Sequence, residues 1–419
     1  MQKIIQILRN YKKVEKHIYQ LIIANFFLQL INGSFFVLAN YYFTKSGYLD
    51  FEIAAFIEKR FLAVMLIAFP LGLLIKGRKL KPFFFISAIC SPTASLLLLY
   101  AVETQNLVLI KISLFLAGAF FVFMQATVMP FILLNAKKEV HSESIALHFQ
   151  TWVSGTIVVG SFYFLVNKFG IPLSERDAIL FFTLLGYVSI FFLTRIKIEE
   201  NISEKFPINK ILVSYDWNLI IKAVLPTLFI AIGAGFTIPF INLFFENIHG
   251  ISSDTFSITA SLTFILVFLG MGIMPSIKAK FGYKISITLV QSLSILCLVI
   301  MASTEWYAHL PAAAAIAIFF YVLRQPLMNI AGPMTSELTM YYVGTKNPEL
   351  ISALSASIWS GSWFFSSRIF AVLRKQDLPY VNIFMITAFM YILGVIWYNY
   401  LINAYYKKEK LESLENLDI

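Results

Sequence analysis

The sequence predicts an all-α polytopic membrane protein of about twelve transmembrane helices, arranged as two pseudo-symmetric six-helix bundles. Two observations carry that prediction. Hydrophobic residues make up 59% of the chain and charged residues 13%, against about 45–50% and about 25% in soluble domains. Mostly apolar runs longer than about 18 residues recur along the chain, where a barrel would show short alternating segments. The second observation is an internal repeat. Gly33, Asn40 and Phe43 return with identical spacing as Gly235, Asn242 and Phe245. A basic knot at Lys76, Arg78 and Lys79 is answered by Lys278, Lys280 and Lys284. The run ending at Gln125 is answered by the one ending at Gln325, and Ala146, Leu147 and Trp152 return as Ala353, Leu354 and Trp359. An ordered set of matches at nearly constant offset marks a chain built from two copies of one unit.

The elements follow in order. The first apolar block, 18–43, starts behind Lys3, Arg9, Lys12, Lys13 and Lys16. It is too long for a signal h-region and lacks a small-residue cleavage site, so it is a retained helix. The further spans are 51–75, 82–102, 107–135, 144–166, 177–195, 217–246, 255–276, 284–303, 310–342, 350–373 and 379–403. Connections are short except at 196–216, a polar stretch of both charge signs halfway along. It reads as a cytoplasmic linker between an N-terminal bundle, 1–195, and a C-terminal bundle with a short tail, 217–419.

Orientation follows from the basic residues. With the N-terminus inside, Lys45, Lys168, Arg176, Arg374 and Lys375 are the basic residues of external segments, and the other basic residues of the loops are cytoplasmic. This asymmetry predicts both termini in the cytoplasm. The net charge of +10 then reflects topology and contact with anionic membrane lipids, not nucleic acid. Cys90 and Cys297 sit at different depths and read as packing residues. His17, His141, His148, His249 and His309 fall at interfaces or loops without metal-ligand spacing and read as solvated. No metal or other cofactor is implied.

The segment Ile232 to Phe245, with Gly233, Gly235, Pro239, Asn242 and Phe245, resembles the seventh helix of the major facilitator superfamily. Arg324, Asn329 and Pro333, the loop Gly344 to Glu349, and Trp359 resemble its tenth and eleventh helices. The resemblance covers about residues 18–403 at the level of the superfamily, with no subfamily identified. There are departures. The family's loop between helices two and three carries an Asp; here Gly72 is followed by Ile75, Lys76, Gly77, Arg78 and Lys79, and the copy from Gly272 to Lys284 also lacks the acid. The basic residues are expected instead at lipid headgroups or helix C-termini. Leu114 stands where proton-coupled exporters carry an Arg before Gly118, and Gly155 and Gly160 stand without the Gly-Pro pair of antiporters.

The resemblance implies a central cavity lined by helices one, four, seven and ten. Asn25, Gln29 and Asn32 share one face of the first helix, and a polar stripe facing lipid is costly, so this face looks inward. Helix–helix hydrogen bonding is the alternative task for such residues. Gln125 and Thr127 on the fourth helix, Asn242 on the seventh and Asn329 on the tenth complete the polar candidates for the substrate pathway. Arg324 lies about 20 Å into the tenth span, where an Arg costs at least about 2.5 kcal/mol. Its repeat partner is Met124, so the fold alone does not require it. It is expected to bind an anionic or zwitterionic group; an internal ion pair, or hydrogen bonds to carbonyls freed by Pro326, is the alternative.

Glu58 and Glu337 are the acids well inside spans and the candidates for proton coupling, with Glu337 near enough to a helix end to be solvated. Arg368 matches Glu58 in depth, so a gating ion pair between them is expected, with Lys59 and Arg60 as rival cations. No Asp-x-x-Asp cluster, nucleotide-binding Gly loop or intramembrane His speaks for an enzyme. The expected function is secondary transport of a small organic solute by alternating access, with export as the favoured direction and protons as the coupling ion if there is one. Uptake of a sugar or organic anion by the same fold, or lipid or oligosaccharide flipping by another class, is the alternative. The expected setting is a bacterial inner membrane, with the protein functional as a monomer.

Overall fold

A computed structural model describes residues 10–48, 50–169, 173–202, 216–251, 253–344 and 348–415. They form α1 (Lys16–Lys45), α2 (Asp50–Ile75), α3 (Lys81–Glu103), α4 (Leu107–Asn135) and α5 (His141–Lys168). The helix α6 is interrupted, as Glu175–Gly186 and Val188–Thr194, and α7 runs Trp217–Thr237, through a 3-10 turn at Ile238–Phe240, into Ile241–His249. Beyond these lie α8 (Ser253–Tyr283), α9 (a π turn at Lys284–Leu289, then Val290–Ser303), α10 (Ala312–Ile330 and Gly332–Val343), α11 (Pro348–Lys375) and α12 (Tyr380–Glu415). Among the described residues, nine stretches are long and apolar enough to cross a membrane, one of them covering α8 and α9 together. The helices α2 and α11 fall outside that set; α2 carries Glu58, Lys59 and Arg60 in succession, and α11 is rich in Ser.

The helix boundaries have local causes. The side chains of Asn106, Ser174 and Asp216 accept from the backbone N–H groups of Leu109, Asp177 and Leu219, capping α4, α6 and α7. Of the three spans interrupted among the described residues, two carry a proline at the break. Pro239 has no N–H for the carbonyl of Gly235, and Pro333 has none for that of Asn329, so α7 and α10 each lose a rung of the helical ladder and tighten or turn there. The two basic loops turn on glycines in the left-handed region, Gly77 (φ 66°) and Gly282 (φ 72°), a conformation costly for other residues.

The chain separates into two compact units, Met1–Ile208 with Pro348–Gly361, and Asn209–Asn347 with Ser362–Ile419. In the first, α1 packs against α5 where two glycines meet. A Cβ on Gly33 would lie 3.1 Å from the Thr156 nitrogen, and one on Gly155 would lie 3.0 Å from the Gln29 carbonyl oxygen. In the second, a Cβ on Gly235 of α7 would lie 2.7 Å from Ser366 Cβ and 3.2 Å from the Ser362 carbonyl oxygen of α11, and the Ser366 hydroxyl donates to the Ile232 carbonyl at 3.0 Å. The repeated glycines are thus contact points where backbones approach closely. Phe43 and Phe245 are each 1% exposed. Phe43 lies in an apolar cluster with Tyr48, Phe56, Leu98 and Phe182, and Phe245 lies against His249 and Tyr321.

Candidate functional site

In the first unit the polar face of α1 is turned into the bundle. Asn25 is 1% exposed; its Nδ2 donates to Thr151 Oγ1 at 2.7 Å and faces His148 Nδ1 at 3.2 Å, both on α5. His148, read from the sequence as solvated, is instead half-buried and bonded to α1. Three other histidines are tied in as well: His17 meets the Asn135 carbonyl and His249 the Thr304 hydroxyl, while His141, 6% exposed, meets the Ala136 carbonyl; His309 is exposed. Gln29 is buried and its Oε1 accepts from Asn32 Nδ2 at 3.0 Å. Asn32 Oδ1 in turn accepts from Arg60 Nη2 on α2 at 2.5 Å. The Arg60 guanidinium is flanked by the rings of Phe35 and Phe121, at 6.0 and 5.6 Å to their centroids. Gly118 makes this possible: a Cβ there would stand 2.5 Å from the Arg60 carbonyl oxygen, so only glycine lets α4 come this close to α2.

Glu58 has Lys59 Nζ 3.7 Å from its Oε1. Neighbours at i+1 point to different faces of a helix, but the flexible lysine stem swings round to reach the carboxylate. Gln125 is exposed. Thr127 is fully buried, with its hydroxyl donating back to the Phe123 carbonyl of its own helix.

In the second unit Arg324 is 0% exposed. Its Nη1 donates to Gln325 Oε1 at 2.9 Å and its Nη2 points at the Tyr391 hydroxyl at 3.4 Å. Its Nε has no hydrogen-bond partner among the described residues, and no carboxylate there forms an ion pair with it. Tyr391, on α12, is itself fully buried and fits because Gly233 leaves room: a Cβ there would lie 2.8 Å from its ring. Asn329 donates to the Gln325 carbonyl one turn back at 2.9 Å, beside the break in α10. Asn242 falls in the second segment of α7, and its side chain lies outside the described residues.

Glu337 departs from the sequence reading of a solvated acid. It is 1% exposed, and Lys278 Nζ on α8 lies 3.0 and 3.1 Å from its two oxygens. The expectation that the basic knot at Lys278 serves headgroups or helix ends is corrected for this lysine, because the acid missing from the loop is supplied by α10. Lys76 of the first knot is likewise buried, whereas Arg78 and Lys79 are exposed. Arg368 is exposed, with its guanidinium 4.6 Å from the Phe364 ring centroid; Arg368 and Glu58 belong to different units.

Solved structures show what the fold resembles. The E. coli fucose:proton symporter matches with a TM-score of 0.70 at 13% identity, over 92% of this chain and 98% of its own. A major facilitator superfamily transporter, FucP in an outward conformation, matches with a TM-score of 0.72 at 14% identity, over 94% and 99%. The chain has the major facilitator fold. A bacterial homologue of the iron transporter ferroportin, in an outward-facing state, matches with a TM-score of 0.71 at 11% identity, over 92% and 99%. No family model and no curated sequence matches. At such low identities the major facilitator fold is what these neighbours share with the chain; their cargoes belong to them.

Sequence reading missed one pair of anchors within this fold. Glu103 at the end of α3 bonds Arg176 at the start of α6, at 2.6 Å. Glu305, at the matching place after α9, accepts from the backbone N–H groups of Tyr380 and Val381 at the start of α12, at 3.3 and 2.5 Å. The signal was present, since Glu103 and Glu305 stand at the same offset as Gly33 and Gly235.

Proposed function

We propose that the protein is a secondary transporter for a small organic solute carrying an anionic or zwitterionic group, worked by alternating access of two six-helix bundles, 1–195 and 217–419, joined by 196–216. Arg324 carries this reading. A guanidinium that is fully buried, lacks an acid partner among the described residues and keeps one N–H unbonded is costly in an apolar medium, and an anionic ligand group offsets that cost. Arg324 binds the charged group in this proposal, with Gln325 and Tyr391 fixing the guanidinium. Asn25, Gln29, Asn32, Gln125, Thr127, Asn242 and Asn329 are the polar residues proposed for the pathway.

Glu58, whose side chain keeps 23% of its surface exposed, is the favoured coupling acid, because Glu337 is 1% exposed and its two oxygens are engaged by Lys278. The protein is proposed to act as a monomer in a bacterial inner membrane with both termini inside, and to export. Uptake is the second reading, supported by the structural likeness to a fucose:proton symporter. The test is reconstitution in vesicles, a panel of anionic, zwitterionic and neutral metabolites, and a pH gradient of either sign. An anionic or zwitterionic solute is expected to move, and Arg324→Gln to lower its binding at least about tenfold, in line with loss of a charged hydrogen bond. Undiminished binding by Arg324→Gln overturns the assignment.

A further inference from the structure

The lysines of the knot between α8 and α9 have different surroundings. Lys278 is taken by Glu337, but Lys284, at the start of α9, is exposed and forms no ion pair among the described residues. The same holds for Lys407 on α12. These two lysines come together, because the Tyr283 backbone N–H donates to the Tyr406 hydroxyl at 3.1 Å. Each lysine stands one residue from that bond, which fastens the ends of α9 and α12 side by side. Farther along the same two helices is an apolar groove of about 190 Å³, lined by Ser292 and Ile295 of α9 and by Ile392, Val395 and Ile396 of α12. It opens on the outside of the bundle, where Ser292, Ile392 and Ile396 are exposed.

Lys284 stands about 16 Å of helix from Ile295, and Lys407 about 16 Å from Ile396. On α12, Lys407, Asn403, Asn399, Ile396 and Ile392 recur every three or four residues and so share one face. That face passes from charge, through an exposed amide at Asn403, to hydrocarbon. The order matches a phospholipid standing in one leaflet, whose chains span half of a hydrocarbon core of about 30 Å. We infer that this site binds one anionic phospholipid, with its phosphate on Lys284 and Lys407, its glycerol region beside Asn403 and one acyl chain in the groove. A choline or ethanolamine headgroup brings its own cation to the lysines, whereas an anionic headgroup leaves net negative charge for both. A partner helix about 10 Å across is too wide for a groove of this volume. The site lies wholly within the second unit and depends neither on Arg324 nor on the direction of transport.

The experiment is native mass spectrometry of the purified protein in a neutral detergent. The probes are long-chain phosphatidylglycerol, phosphatidylcholine with the same chains, and short-chain phosphatidylglycerol. One long-chain phosphatidylglycerol is expected to stay bound at concentrations where the other two are lost. Lys284→Gln combined with Lys407→Gln should weaken its binding about 30-fold, which corresponds to about 1 kcal/mol for each lysine. Ser292→Phe, at an exposed position, should fill the groove and weaken binding about tenfold, as loss of about two buried methylenes would, without moving the thermal midpoint of the lipid-free protein. Equal retention of phosphatidylcholine would overturn the inference by leaving the lysines no part in it. Equal retention of the short-chain lipid would overturn it by leaving the groove none. Binding that the double lysine variant leaves unchanged places the phosphate elsewhere and overturns it too.

Discussion

Replacing Lys278 by Met should destabilise the protein more than replacing Glu337 by Gln, although both remove the same ion pair. The asymmetry comes from burial: the Glu337 side chain is 1% exposed and that of Lys278 is 21% exposed. Lys278→Met takes the ammonium away from a carboxylate that is 1% exposed, and removing one partner of a buried pair costs about 3–5 kcal/mol. Glu337→Gln leaves an amide oxygen to accept from the ammonium, on a side chain that is 21% exposed, so the loss is near that of one charged hydrogen bond, about 1.5–3 kcal/mol. The gap of about 2 kcal/mol corresponds to a difference in Tm of about 4–8 °C for a cooperative unit of this size. Replacing both residues by Met should recover most of the loss, because the buried charge is gone. The assay is thermal unfolding of detergent-purified variants, followed by tryptophan fluorescence and by loss of the monodisperse peak. If Lys278→Met proves as stable as Glu337→Gln, the acid is not buried in the way that supports this reasoning.

Three further outcomes are expected in the same assay. Gly33→Leu and Gly235→Leu should each cost about 1–3 kcal/mol or more by overpacking a backbone contact, whereas Gly160→Ala, with nothing within 4 Å of its added Cβ, should be close to neutral. Asn25→Ala should cost about 1 kcal/mol through loss of its contacts to Thr151 and His148, and a stability equal to that of the parent would show those bonds to be idle. Glu305→Ala should cost about 1 kcal/mol by uncapping α12, with faster amide exchange confined to its first turn; protection unchanged there would rule out the cap.

The repeat was legible because it depends on local sequence: Gly33 and Gly235 mark places where only a hydrogen atom fits, and such places persist in both copies when most side chains have changed. The inward face of α1 was legible from spacing alone, since Asn25 and Gln29 have nowhere affordable to point except the bundle. Partners were not legible. Nothing near Lys278 in sequence announces Glu337, and nothing near Arg60 announces Asn32, because each meets its partner only when two helices pack. The break in α10 lies between these cases: Pro333 was visible, but a proline inside an apolar run kinks some helices and interrupts others, and hydropathy does not distinguish them.

In the transport cycle proposed above, Arg324 would also make the protein an electrical element. A fixed charge inside the membrane interacts with the transmembrane potential at about 2.3 kcal/mol per elementary charge per 100 mV for a full crossing. Alternating access shifts the field past a stationary charge as effectively as moving the charge through the field. With a monovalent anion bound, the pair is neutral and the voltage has nothing to grip; empty, the guanidinium feels the field at every conformational change. On that proposal the membrane potential would act on the unloaded return, and the rate of that step should follow voltage even where solute affinity does not.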